Sequence, residues 1–464
     1  MSLSLPQPAN ERGNASNWSG VRFTGMKREF QQKFHYLGRL VIIPIVAGVI
    51  AAAIVAIFIV LLDRVIAATP HLIPRAPFVL PTLGALLVGA LILRWIPGAG
   101  GEGIPAYINA VNRENGRMSL AATVLKFPAT ILTLGFHGSG GIVGPLGHMG
   151  AGASSFLVSR LCRSLKLHIE DNVRIAAICG LSGAISSIFH SPLGGGLFAA
   201  EILRKDSMRY SDLFPSIVAG GAAFVTSTMV LNQNPVFGIN APVAFLTDHM
   251  LLWFPIVAIV SGAFGVLFII SFEKVARGLC KITTGQPTRA LIGGVLVSVV
   301  FLLKGDWALN TSMPLYGHIV GGDVSPIAPP VFLGKGVIAF FVLIMVVKIL
   351  ATSCTVGSGM SGGFTGPLLI LGIASGAFMS SLAGVATGTP ASYGFMACAL
   401  SAVLGAAMNI PIAAIVITTD LFGLSYIAPA IIGGILSFLL YKSRTVYEYA
   451  TTSWFTDNIR TNNP

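Results

Sequence analysis

The chemistry this chain offers begins with backbone amides uncovered by glycine. Residues 126–150 read KFPATILTLGFHGSGGIVGPLGHMG, and residues 348–372 read KILATSCTVGSGMSGGFTGPLLILG. At the one fixed offset that carries Lys126 onto Lys348, Ala129, Thr130, Thr133, Gly135, Gly141, Gly144, Pro145 and Leu146 meet Ala351, Thr352, Thr355, Gly357, Gly363, Gly366, Pro367 and Leu368. In each copy an apolar helix breaks at a glycine-rich turn and restarts at Gly-x-x-Gly-Pro, the mark of paired, interrupted helices inside a membrane protein. A restarted helix presents free N–H groups, and such ends bind anions. No nucleotide loop, catalytic carboxylate pair in a polar segment or metal-ligand spacing accompanies them, so neither an enzyme nor a metal site is expected.

Composition sets where these segments must live. Of 464 residues, 54% are hydrophobic and 10% charged, against roughly 25% charged in soluble proteins. The chain therefore belongs in a bilayer, and no polar stretch is long enough for a separate soluble domain. The net charge of +12 does not indicate nucleic acid, because the basic residues flank apolar spans instead of forming a stripe. Arg12, Arg22, Lys27, Arg28, Lys33 and Arg39 precede the first span, and Lys442 and Arg444 follow the last. By the positive-inside bias both termini should be cytoplasmic. The five cysteines lack ligand or disulfide spacing, and Cys179 and Cys398 read as small packing residues.

The elements that position the glycine turns follow in order. Residues 1–32 form a cytoplasmic N-terminal segment, with an amphipathic stretch MKREFQQKFHYLGRL at the inner leaflet. The stretch 40–62 has the length of a bilayer span, closed by Asp63 and Arg64. The stretch 78–93 follows, then WIPGAGGEGIPAYINAV, whose glycines and prolines forbid a continuous helix. Further spans are 173–188, 213–231, 251–272, 290–303, 337–349 and 427–441, several too short to cross alone. The duplication extends to CGLSGAISSIFHSPLGGGLFAAE and CALSAVLGAAMNIPIAAIVITTD, pairing Cys179 with Cys398, Pro192 with Pro411 and Glu201 with Asp420. The expected fold is an all-α polytopic membrane protein: a first repeat at 33–232, a linker at 233–249, a second repeat at 250–450 and a cytoplasmic tail at 451–464. If each half has an odd number of crossings while both termini are cytoplasmic, the repeats must be inverted and their broken helices meet at mid-membrane, which is the arrangement expected here.

In this order Gly101-Glu102-Gly103-Ile104-Pro105, Gly141-Ile142-Val143-Gly144-Pro145, Gly362-Gly363-Phe364-Thr365-Gly366-Pro367 and the late Tyr447 resemble the CLC family of chloride channels and proton/chloride antiporters. Its patterns are GSGIP, GREGP and GGxFxP with a Tyr in the last helix, and the resemblance covers residue 33 to about residue 455. It implies a minimal, prokaryotic-type architecture without a cytoplasmic regulatory pair, in the inner or plasma membrane, as a homodimer with one pore per subunit. It assigns a central anion site to Glu102, Gly103, the amides of Phe364 and Thr365 and the hydroxyl of Tyr447, and an outer site to Gly141, Ile142, Val143 and Gly144 with Gly363. The expected ligand is chloride or another halide, with no cofactor. Lys126 and Lys348 are charges inside apolar segments; they either set the field below the pore or pair with a buried carboxylate such as Glu201.

Three departures bear on mechanism. Val143 stands where family antiporters have the gating glutamate, and Ile202 where they have the second proton-transfer glutamate. Both ionisable proton carriers are thus replaced, which points to a passive channel or uncoupled transporter; coupled antiport and a non-conducting protein are the rival readings. Glu201, on the preceding acid, is expected to cap or pair structurally. Glu102 replaces the central pore serine, and an ionised carboxylate would repel a neighbouring anion by about 4 kcal/mol at about 4 Å and an effective dielectric of about 20. Three arrangements stay open: a protonated acid donating to the anion, a tethered carboxylate seated among helix N-termini as a gate, or a salt bridge with Lys126. His137, His148 and His190 lie near the glycine turns, either as proton carriers or bonded to neighbouring backbone. Thr365 replaces the second filter aromatic, which leaves a wider or wetter site and an undetermined anion preference.

Overall fold

The computed structural model describes residues 38–164, 170–204, 207–234, 239, 248–283, 285–304, 313–326, 328, 336–442 and 444–451. The expected N-terminal segment, most of the inter-repeat linker and all of the tail except Thr451 lie outside them. Among the described residues the fold is built of helices: α1 (Ile43–Leu72), α2 (Leu80–Val88), α3 (Ile104–Arg113), α4 (Leu120–Gly135), α5 (Val143–Ser164), α6 (Glu170–Phe189), α7 (Pro192–Glu201), α8 (Tyr210–Val225), α9 (Asp248–Ile282), α10 (Gln286–Lys304), α11 (Met313–Gly321), α12 (Val337–Gly357), α13 (Thr365–Leu382), α14 (Pro390–Met408), α15 (Pro411–Phe422), α16 (Ile427–Tyr441) and α17 (Val446–Thr451). The protein is a multi-pass membrane protein, with eight helices in the described residues long and apolar enough to cross.

Burial separates the helices that line the interior from those that meet lipid. The apolar stretches of α6 and α14 are each 94% buried, whereas that of α1 is 39% buried. Interior helices approach through small residues, as expected where lipid offers no hydrophobic contrast. A Cβ on Gly48 of α1 would collide with the Ala219 carbonyl of α8, and one on Gly433 of α16 with the Cys398 carbonyl of α14. Cys398 in the second contact and Cys179, clustered with Ala47 and Ala219, are both fully buried.

Several boundaries differ from the sequence expectation. Helix α1 does not stop at Asp63 and Arg64 but runs on to Leu72, carrying both exposed and containing Pro70. Residues 365–382 and 390–408 are long enough to span, although their glycine, serine and alanine content hides them from a reading based on bulky apolar runs. Helix α12 extends to Gly357, past the expected end at Ile349.

The duplication appears as internal two-fold pairing. Helices α4 and α12 both end at glycine, turns of equal length follow at 136–142 and 358–364, and α5 and α13 restart at Val143 and Thr365, positions related by the repeat offset. The two turns join by one reciprocal pair of backbone bonds: the Gly141 N–H donates to the Gly363 carbonyl at 2.7 Å and the Gly363 N–H to the Gly141 carbonyl at 2.6 Å. Hydroxyls repeat the symmetry, with Thr130 against Ser361 at 2.7 Å and Ser139 against Thr352 at 3.0 Å. Reciprocal contact of equivalent residues is what a two-fold axis requires.

A second such pair locks α7 to α15. Glu201, at the foot of α7, accepts from the amides of Ile412 at 3.1 Å and Ala413 at 2.8 Å at the head of α15. Asp420, near the foot of α15, accepts from the hydroxyl of Ser191, the N-cap of α7. Each helix thus has its head at the other's foot, the antiparallel relation of inverted repeats. Glu201→Ala leaves two amides at the head of α15 uncapped, that of Ala413 buried, and is expected to lower stability by about 1–2 kcal/mol, read as a lower thermal midpoint in detergent, with anion flux per folded protein unchanged.

Candidate anion site

Three helix N-termini converge on one buried point. Helix α3 starts after Gly103, whose φ of +108° lies in the left-handed region; a Cβ there would also stand 2.8 Å from Lys126 Cε and 2.9 Å from His148 Cβ. Helix α5 starts at Val143 and α13 at Thr365. No side chain of its own N-cap residue closes α3 or α13, so their first amides remain available to an external acceptor. Glycine permits the approach: a Cβ on Gly363 would lie 2.9 Å from the Gly144 nitrogen, and one on Gly141 2.6 Å from the Gly366 nitrogen.

The acceptor at this point is the carboxyl of Glu102, which is 4% exposed. Its Oε2 accepts from the Ile104 amide at 2.7 Å, at the head of α3. The carboxyl lies against Gly144, where any Cβ would collide with Oε1 and Cδ. The Phe364 amide and Tyr447 hydroxyl come within interaction range of it, yet Oε1 completes no hydrogen bond. Tyr447 is 3% exposed, so it is no interfacial aromatic; its ring stands 6.2 Å from that of Phe364. Phe364 is fully buried and packs edge-on against Phe268 and Phe272. Thr365 is 1% exposed, and its hydroxyl lies within range of that of Tyr447, neither closing a hydrogen bond of good geometry.

Lys126 does not form a salt bridge with Glu102. Its buried Nζ donates to the carbonyls of Gly100 at 2.9 Å, Gly101 at 3.1 Å and Ala99 at 3.4 Å, holding the loop that carries Glu102. The same loop is tied to the second repeat by Gly101 N–H to the Gly359 carbonyl at 3.1 Å and Gly362 N–H to the Gly101 carbonyl at 3.3 Å. Glu201 pairs with amides and not with either lysine; Lys348 is buried at the equivalent position of α12.

Other expected residues fall into place or need correction. The Gly141 and Gly363 N–H groups each donate to the other's carbonyl, so they are not free to serve an anion as expected; the amides at the start of α5 are the donors left in that segment. Ile142, Val143 and Ile202 are buried apolar groups. His148 Nδ1 lies 3.3 Å from the Gly103 carbonyl, His137 Nε2 lies 3.5 Å from the Thr69 hydroxyl, and His190 packs edge-on against Phe224. None of the three reaches the carboxyl of Glu102 by a hydrogen bond. Sequence reasoning missed Gly144 as the cradle of that carboxyl. It also missed Ser139 and Ser361, although these two occupy equivalent places in the repeat.

Opposed interrupted helices that aim amides at one buried point define a membrane anion-transport protein. The chain belongs to the voltage-gated chloride channel family, whose model matches residues 84–442. It is 28% identical over 355 residues to the H(+)/Cl(−) exchange transporter ClcA of Yersinia pestis biovar Antiqua, covering 74% of this chain and 70% of that one. It is 29% identical over 301 residues to a chloride/fluoride channel protein of Pseudomonas syringae pv. tomato, covering 63% of this chain and 61% of that protein. Among solved structures, it superposes on a CLC-type fluoride/proton antiporter with a TM-score of 0.74 at 21% identity, over 89% of this chain and 98% of that one. A slow cyanobacterial Cl−/H+ antiporter gives 0.72 at 18% identity, over 92% and 99%.

A seated carboxylate competes with any anion for the same amides. Glu102→Ser is therefore expected to bind chloride at least tenfold more tightly than the wild-type protein near neutral pH, as measured by isothermal titration in detergent; equal affinities would mean that the carboxylate does not hold the site.

Proposed function

We propose that this protein is a passive transmembrane anion pathway, for chloride first, in which the Glu102 carboxylate is a tethered occupant of the central site and gates it by protonation. The observation that carries this reading is Oε2 accepting from the head of α3 while the carboxyl rests on Gly144. Helix N-termini supply about half an elementary charge each, enough to seat an anion without the tight grip of a contacting lysine. Protonation removes the carboxylate's charge, and with it both its attraction to the amides and its repulsion of an entering anion. Flux should then rise as pH falls.

Efflux of chloride from liposomes is expected to increase severalfold between about pH 7.5 and about pH 4.5 in the wild type. In Glu102→Gln it should be high and nearly independent of pH. Equal profiles for the two proteins would remove Glu102 as the gate, and absence of flux in both would favour a non-conducting protein.

Val143 and Ile202 support uncoupled transport, since neither can carry a proton from the two positions where family antiporters use acids. The rival, coupled antiport, draws on the printed activities of the exchange transporters among the relatives. Simultaneous chloride and pH recording separates them: uncoupled flux moves chloride without stoichiometric proton movement, whereas protons driven uphill by a chloride gradient would establish antiport. Fluoride joins chloride in the selectivity series, because a fluoride antiporter and a chloride/fluoride channel stand among the relatives and the Thr365 and Tyr447 hydroxyls border the site.

On this reading the protein sits in the plasma membrane with cytoplasmic termini, as a homodimer with one pathway per subunit. Exposed Leu193 and Phe214 on α7 and α8, with Ile412, Ile431 and Ile435 on α15 and α16, offer an apolar face for the second copy.

A further inference from the structure

We infer that the central site is a monocarboxylate site as well as a halide site, and that formate is a permeant anion. This rests on the anion-pathway reading and follows from what now fills the site. That occupant is a planar carboxyl group, bonded at one oxygen to the Ile104 amide at 2.7 Å and lying against the bare Gly144 backbone, where a spherical ion would need no such clearance for a second oxygen and its carbon. The space that empties when Glu102 withdraws has the shape of the group that leaves it.

The tether prevents the carboxylate of Glu102 from using all the donors around it. Oε1 completes no hydrogen bond, and the buried hydroxyls of Thr365 and Tyr447 lie within range of each other, that of Tyr447 also of the carboxyl, without closing a bond of good geometry to it. A free carboxylate has no pair of methylenes fixing its approach, so it can turn its second oxygen toward these donors. Formate carries the O–C–O unit with only a hydrogen attached, and it matches the space without demanding the volume that the Glu102 side-chain stem occupies.

Charge restricts the class further. Lys126 Nζ is spent on three backbone carbonyls and makes no ion pair with the occupant, so it adds one positive charge at longer range while the direct contacts come from helix ends and hydroxyls. Such a field suits one negative charge; a dianion would carry a second one into a buried site with no cation in contact. The ligand class is therefore small, planar and monovalent.

The test uses the full-length protein in liposomes at about pH 7.5, with protein-free liposomes as the background for formic acid diffusion. Uptake of radiolabelled formate and of radiolabelled chloride is measured for wild type, Glu102→Ser and the near-isosteric Glu102→Gln, each first shown to be monodisperse. Formate flux through either variant within about threefold of its chloride flux, together with at least threefold slowing of chloride by excess formate but not by tetrahedral methanesulfonate, is the expected result. Chloride flux through the variants that formate neither shares nor slows beyond methanesulfonate would overturn the carboxylate inference and leave the anion pathway standing. Absence of flux for every anion in all three proteins would overturn both.

Discussion

Two peptide groups, those of Gly141 and Gly363, hold this molecule's centre together. Their reciprocal hydrogen bonds at 2.7 and 2.6 Å satisfy backbone groups that an interrupted helix would otherwise leave bare in a medium without water, where each unmet group costs several kcal/mol. They also bring the heads of α5 and α13 close enough that a side chain on either glycine would meet the other repeat's backbone. Glycine at both positions is thus a steric demand. The Thr130–Ser361 and Ser139–Thr352 pairs repeat the same two-fold relation around it.

Joining the turns leaves a residue of polarity that the fold cannot cancel. Three helix heads point inward, and their first amides are spent neither on each other nor on side chains of their own N-cap residues. Glu102 answers this from within the chain. Its carboxylate needs no cation beside it because α3 offers an amide and a partial charge, and this releases Lys126 to fasten the carbonyls of the loop on which Glu102 rides. The result is a seat for one negative charge with no contacting cation. Such a seat can be filled and vacated, as transport requires.

The seat is connected to the rest of the protein by satisfied polar contacts. Helix α3 is anchored at Tyr107, whose hydroxyl donates to the Ala199 carbonyl at 2.8 Å, and at Asn112, which donates to the Leu203 carbonyl at 3.0 Å. Both acceptors flank Glu201, whose own oxygens cap α15. Helix α3 and the head of α15 are therefore both fastened by hydrogen bonds to the foot of α7. Satisfied polar contacts of this kind favour one arrangement of the helices over others.

Much of this architecture is legible along the chain, because duplication and helix interruption are local patterns. The near-constant offset between the two copies, the Gly-x-x-Gly-Pro restarts and the low charge determine an all-helical, two-repeat membrane protein with paired broken helices, and the family motifs locate Glu102, Phe364, Thr365 and Tyr447. Small-residue spans such as 365–382 and 390–408 escape a hydropathy reading since their burial comes from close packing and not from side-chain bulk. Which amides are spent, where a carboxyl turns and what a lysine bonds are decided only when the two halves meet. The Gly141 and Gly363 amides read as donors to a ligand in sequence and become partners of each other in the fold; a Lys126–Glu102 salt bridge is one of three arrangements the sequence leaves open, and the two side chains separate onto carbonyls and an amide. Sequence spacing specifies what each segment can offer, but the assignment of donors to acceptors depends on distances between residues that lie in opposite halves of the chain.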